Sequence, residues 1–161
     1  MQAAISSVQE LFGKSGYRCY ADALNRHPIT FHSAISDPHS RVGSLVNVSC
    51  DLLKAAKAVG VDPYQLLGDA RDANFNSYDD RAGLEYALEE SIGIDALPLL
   101  AAVVPMAMRD IRHAVRKSSA RHHTHFRMIA TTALSLKRRG IPAKEIVLAR
   151  MKDREAGLFD G

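Results

Sequence analysis

The sequence lacks tryptophan, and its only two cysteines, Cys19 and Cys50, are far apart with no CxxC spacing. Two distant thiols indicate a protein of the reducing cytoplasm. Long apolar runs are also missing, because the longest uncharged apolar stretch, residues 96–108, is too short to cross a bilayer. No basic start precedes an apolar run at the N-terminus, so we expect neither a secretory signal nor a membrane partner.

Strand patterns are absent as well, since no segment alternates apolar and polar residues for long enough to predict a β-strand. Residues 27–36 (HPITFHSAIS) are the one place where we expect a short extended piece. Elsewhere helical patterns end at Gly60, Gly93 and Gly140, and the apolar residue after each glycine folds back on the last helical turn. Asp62 and Asp95 then stand where they cap the next helix.

These patterns predict an all-α protein, a compact multi-helix bundle of about six to eight helices joined by short glycine-containing turns. The chain of 161 residues contains no linker rich in Gly, Ser or Pro, so we expect a single domain over residues 1–161. Residues 1–37 are the least patterned and are expected to form an N-terminal arm or peripheral helices. The turn glycines are spaced by 33 and then 47 residues, which argues against a repeat protein. The predicted helices span residues 2–12, 17–26, 38–59, 63–73, 78–92, 96–118, 120–139 and 142–154.

The helix that starts at Ala96 is expected to have two parts, because Pro105 should kink or break it. Residues 97–108 are apolar on nearly all sides, which favours a central position in the bundle, with a homodimer interface elsewhere. Beyond the proline, the apolar positions Val104, Met108, Ile111 and Val115 form one core stripe. On the opposite side of the same cylinder lie Arg109, Arg112, His113, Arg116 and Lys117.

Acidic residues are missing from one long stretch. Residues 1–108 contain 8 Lys+Arg and 13 Asp+Glu, whereas residues 109–161 contain 13 and 5. Between Asp110 and Glu145 there is no carboxylate, although nine lysine and arginine residues lie there. An ordinary solvated helix interleaves Glu with Lys or Arg, so this run favours an external polyanion. Alternatively, the acidic part packs on the basic part and the two fields largely cancel.

Three histidines and two arginines lie together in RHHTHFR, residues 121–127. Because His122 and His123 are adjacent, they point apart on a helix, and no carboxylate or cysteine is near, so we expect no metal and no other cofactor. A helix that opens near Ser119 would present free N–H groups to a phosphate, flanked by serine, arginine and imidazole. We interpret the stretch as part of a phosphate-contacting surface and assign no catalytic residue.

The stretch Arg116-Lys-Ser-Ser-Ala-Arg-His122 resembles the Arg-x(4–6)-His motif of HEPN ribonucleases, which are all-α domains of similar size. The resemblance implies a histidine placed for acid–base work and an arginine that stabilises developing phosphate charge. The polar residue that usually follows the arginine in that family is here Lys117. A ribonuclease of this kind is therefore one alternative function.

We predict a nucleic-acid-binding accessory or architectural protein that contacts phosphates through its basic C-terminal half and performs no catalysis. Aromatic residues are sparse in that half, which favours duplex DNA over RNA or single strands. A protein–protein interaction module, such as a chaperone or secretion adaptor that meets an acidic protein, is the other alternative. The predicted contact residues are Arg109, Arg112, Arg116, Lys117, Arg121, His122, His125, Arg127, Lys137, Arg138 and Arg139.

Overall fold

The computed structural model describes residues 3–75 and 83–160, with backbone alone for residues 154–160. In these residues the chain forms ten α-helices and no strand, which confirms the all-α prediction but exceeds the six to eight helices expected. The helices are α1 (Ala4–Phe12), α2 (Tyr17–Ala23), α3 (Pro28–Ser36), α4 (Arg41–Ala58), α5 (Pro63–Asp72), α6 (Gly83–Ile92), α7 (Ala96–Val103), α8 (Met108–Arg116), α9 (His123–Arg138) and α10 (Ala143–Asp160). None of the described helices is both long enough and apolar enough to cross a membrane.

Two places account for the larger number of helices. The segment that was expected to be extended is helix α3, because Pro28 occupies its first position and the His27 ring accepts a hydrogen bond from the Ile29 N–H. The expected break at Pro105 is confirmed, since this residue separates α7 from α8. The predicted start of the fifth helix at residue 78 lies outside the described residues.

The predicted helix caps are confirmed at one turn and wrong at another. The Asp62 carboxylate accepts a hydrogen bond from the Tyr64 N–H at 3.0 Å and so caps α5. Asp95 makes no such bond at the start of α7, because its carboxylate instead pairs with the Lys144 ammonium of α10 at 3.0 Å. The side chain at this turn joins two helices rather than ending one.

The ten helices form two sets of five, a first half (α1–α5) and a second half (α6–α10), that repeat at an interval of 80 residues. Helices α3 and α8, for example, have the same length and start 80 residues apart. The order of buried, half-buried and exposed positions along residues 41–54 recurs along residues 121–134. Packing is reciprocal, because α5 packs on α9 just as α10 packs on α4. Reciprocal contacts of this kind are those of a two-fold axis, so the chain folds like a dimer of two related halves.

The turn glycines follow the same two-fold repetition. The residues Gly13 and Gly93, and likewise Gly60 and Gly140, have positive φ and follow equivalent helices. With Gly13 included, the spacings are 47, 33 and 47 residues, and two successive spacings make the unit of 80. The prediction that the chain is not a repeat protein is therefore wrong, because it compared two different turns within one unit.

Helices α4 and α9 occupy the centre of the bundle, the position that was predicted for residues 97–108. Helix α7, which carries that apolar sequence, packs instead against α6, α8 and α10. Because neighbours surround α9, Ser135 is buried and Arg127 is half-buried, although both were predicted to face outward. The core stripe of α8 is as predicted, with Ile111 and Val115 buried.

The first 37 residues, expected as an arm or as peripheral helices, form α1 to α3 and contribute to the core. Val8, Tyr20, Phe31 and Ile35 are all buried, and the rings of Tyr20 and Phe31 stack with their centroids 5.4 Å apart. This packing holds α3 and the connection before it beside the start of α9, where both border the cavity described below.

Candidate functional site

The basic face predicted on α8 lies at the surface, where Arg109, Arg112, Arg116 and Lys117 are all exposed. The Arg116 guanidinium is already engaged, since its Nε and Nη2 donate to the two carboxylate oxygens of Glu85 at 2.7 and 3.0 Å. Arg112 and Lys117 have no ion-pair partner among the described residues. The face therefore keeps part of its charge, and helix α6 neutralises the rest.

The predicted residues at the end of α9 form a separate group. Lys137 donates to the main-chain oxygen of Glu90 at 3.0 Å, and Arg139 donates to the main-chain oxygen of Ser135 at 3.1 Å. Arg138 is exposed. Helix α9 has 16 residues, so this group lies about 24 Å from the start of the helix. It cannot share one small ligand with RHHTHFR.

Ion pairs between the acidic and basic parts of the chain are extensive. Besides the Arg116–Glu85 pair, Arg150 donates to both carboxylate oxygens of Asp51 at 2.6 and 2.8 Å and joins α10 to α4. Partial burial lowers the pKa of Arg127 on α9. The mutual cancellation considered as an alternative therefore holds for part of the basic half.

A cavity of about 310 Å³ lies where the start of α9 meets α3 and the start of α4. Three of the predicted contact residues, Arg121, His122 and His125, line this cavity together with Arg26 and His27 from the first half. Its remaining lining residues are Asn25, Thr30, Phe31, Ala34 and Val42. Among the described residues, no acidic side chain lines the cavity.

The histidines of RHHTHFR have different surroundings. His123 has its Nδ1 2.8 Å from the main-chain oxygen of Ala114, a contact that ties α9 to α8. His125 is only 2% exposed, and its Nδ1 and that of His122 are buried without a hydrogen-bond partner. The rings of His122 and His125 lie 6.1 Å apart between centroids. His123 is thus a structural residue, whereas the other two imidazoles belong to the cavity.

Arginine supplies the positive charge of the cavity. Burial, with smaller effects from His122 and Arg26, lowers the pKa of His125 to about 3, so its ring is neutral at physiological pH. Burial also lowers the pKa of His122, and the charges of Arg121, Arg26 and Arg41 lower it further. Arg26 donates to the main-chain oxygen of Arg121. We call Arg26, Arg41 and Arg121 the arginine cluster.

The prediction from sequence missed Arg26, His27 and Arg41, which lie in the part of the chain with excess acid. Arg26 and Arg121 are 95 residues apart, and no local pattern connects them. A signal for Arg41 did exist, because it and Arg121 occupy equivalent positions 80 residues apart in the two halves.

The residues that resemble the HEPN motif are not joined in the structure. Arg116 is held by Glu85, whereas the charged groups acting on His122 come from the arginine cluster. In the described part of the chain, no group of three or more His, Cys, Asp and Glu side chains is arranged to hold a metal ion. Comparison with models of protein families, with curated proteins and with solved structures finds no significant match.

Proposed function

We propose that the protein binds nucleic acid through its phosphate groups, with the arginine cluster at the centre of the contact surface. The observation that carries the proposal is the convergence of Arg26, Arg41 and Arg121 around His122, beside a cavity that no described acidic side chain lines. Guanidinium groups bind phosphate oxygens in a bidentate manner, and phosphate contacts supply most of the affinity of such proteins.

The contact surface extends from the cluster to α8. Arg112 and Lys117 are exposed there, and Arg109 is exposed to 90%. We place Arg116 and Lys137 at the edge of the surface, because each already contacts an acidic residue of α6. Helices α4 and α9 both begin beside the cavity without an acid in the first turn, so their positive ends add to the field.

The lack of accessible aromatic rings supports an accessory or architectural role on duplex DNA. Phe126, in the basic half, is fully buried and therefore unable to stack on a base. Contacts to phosphates position a protein on a duplex without reading its sequence. We therefore expect similar affinities for unrelated duplex sequences.

The test is fluorescence anisotropy with duplex DNA, single-stranded DNA and RNA at several salt concentrations. The variant Arg26→Ala/Arg121→Ala should weaken duplex binding by similar factors on unrelated sequences. It should also reduce the slope of log K against log salt by about 0.9 for each lost contact. Lys14→Ala/Lys57→Ala removes two exposed charges elsewhere and is the matched control. Wild-type affinity and slope in the arginine variant, folded by circular dichroism, would refute the proposal.

A second candidate is an interaction module for an acidic protein, and the exposure of Ile29 favours it. This side chain is 73% exposed on α3, next to the cavity residue Thr30. Ile29→Ser leaves the charge unchanged, so duplex binding should stay at the wild-type level if phosphates are the ligand. Weaker binding of the same variant to an acidic, leucine-containing peptide, with no duplex binding by wild type, would favour the protein partner.

A further inference from the structure

The cavity contains two polar groups that the proposed surface contacts do not use. The Nδ1 atoms of His122 and His125 are buried and have no hydrogen-bond partner. Buried polar atoms in folded proteins nearly always have a partner, so two unpartnered ring nitrogens in one cavity are groups suited to binding a ligand. Only a molecule that enters the cavity reaches His125, which is 2% exposed.

The two-fold repetition shows that packing does not require these polar groups. Leu45 occupies the position equivalent to His125, and it is fully buried in the same kind of environment. The fold thus accepts an apolar side chain where the second half has an imidazole. The other equivalent pairs, 80 residues apart, are His122 with Val42, Arg26 with Met106 and His27 with Ala107.

We propose that the cavity binds a phosphomonoester, a terminal phosphate group carried by a nucleotide-sized molecule or by the end of a strand. The imidazoles of His122 and His125 contact its oxygens inside the cavity, and the guanidinium groups of Arg26 and Arg121 contact it at the cavity wall. The inference rests on the proposed function, because it assigns a particular kind of phosphate to the arginine cluster.

The size of the cavity favours a terminal phosphate over an internal one. A volume of about 310 Å³ is at the lower end of small-molecule sites. An internal phosphodiester carries the chain on both sides and cannot be inserted as far as His125. A phosphomonoester has three terminal oxygens and a charge of about −1.5 to −2 at pH 7, which suits two guanidinium and two imidazole groups.

The opposite wall offers apolar surface for the remainder of the ligand. Phe31, Ala34 and Val42 line it, and the Phe31 ring is held in place by its stacking on Tyr20. Because burial keeps the His125 ring neutral, it retains one N–H donor and one acceptor nitrogen. The cavity therefore combines a polar end with an apolar side, as sites for phosphorylated small molecules do.

The experiment compares ligands that differ only in the terminal phosphate. Duplexes of one sequence carry either a 5′-phosphate or a 5′-hydroxyl, and adenosine 5′-monophosphate is compared with adenosine by isothermal titration calorimetry. Wild type should prefer the phosphorylated member of at least one pair by about tenfold or more. A preference within the duplex pair identifies a strand end as the ligand, and a preference within the nucleoside pair alone identifies a free nucleotide.

The variant His122→Val/His125→Leu installs the residues of the equivalent positions and removes no arginine. It should lose the preference for the terminal phosphate while binding the 5′-hydroxyl duplex as wild type does. No preference in either pair, or a preference that survives in this variant, overturns the inference. Binding of the 5′-hydroxyl duplex tests the proposed function separately: if it is absent while adenosine 5′-monophosphate binds, the proposed function fails and the phosphomonoester site stands.

Discussion

Replacement of His125 by leucine should stabilise the protein, and by more at pH 5.0 than at pH 7.5. The His125 ring is 2% exposed with an unpartnered Nδ1, and the equivalent position of the first half holds the buried residue Leu45. Burial, together with His122 and Arg26, lowers the pKa of His125 from 6.5 to about 3. Below pH 6.5 the unfolded chain therefore binds a proton that the folded protein does not bind, and this difference destabilises the folded state as the pH falls.

The size of the effect follows from proton linkage. Between pH 7.5 and pH 5.0 the unfolded imidazole changes from about 10% to about 97% protonated, while the folded one stays neutral. The wild type therefore loses about 2 kcal/mol of its free energy of unfolding through this residue. At pH 7.5 the leucine variant also gains about 1–3 kcal/mol, because it removes a buried polar atom without a partner. The variant should thus exceed wild type by roughly 3–5 kcal/mol at pH 5.0.

Urea unfolding followed by circular dichroism at several pH values between 5.0 and 7.5 measures this difference. Thr132→Val is the matched control, since Thr132 is a buried residue of the same helix whose hydroxyl donates to the Met128 oxygen at 2.9 Å and does not titrate. Its effect on stability should be the same at every pH. Parallel curves of stability against pH for wild type and His125→Leu would show that the ring is not held neutral, and the reasoning would fail.

Three further outcomes follow from the packing. Glu85→Gln should release Arg116 and raise the slope of log K against log salt for duplex DNA by about 0.9, with little change in stability because the pair is exposed; an unchanged slope would place Arg116 outside the contact surface. Gly60→Ala and Gly140→Ala should each cost about 1 kcal/mol in urea unfolding, since both glycines have positive φ at equivalent turns; a cost at only one turn would contradict that equivalence. The homodimer stays a prediction, and a monomer in sedimentation velocity at micromolar concentration would contradict it.

Local sequence patterns were sufficient to predict the fold class. A helical period of apolar residues places Ile111 and Val115 in the core whatever surrounds them, and proline at position 105 removes a backbone donor from any helix. Helix α3 escaped prediction because its cap is the ring of His27, which is not among the usual capping residues. The two-fold repetition was readable in principle from the glycine spacing once Gly13 is included, although few other residues repeat between the halves.

The candidate site depended on tertiary structure. The sequence by itself determined where the positive charges and imidazoles are concentrated, because composition is local. Only the packing of the two halves decided that Arg26 meets Arg121 across 95 residues, that Glu85 engages Arg116, and which imidazoles are enclosed. A cation is available to a ligand only if no acid from another helix reaches it, and a histidine is neutral only if its neighbours exclude water. Both conditions are set by contacts distant in sequence, which no spacing along one helix encodes.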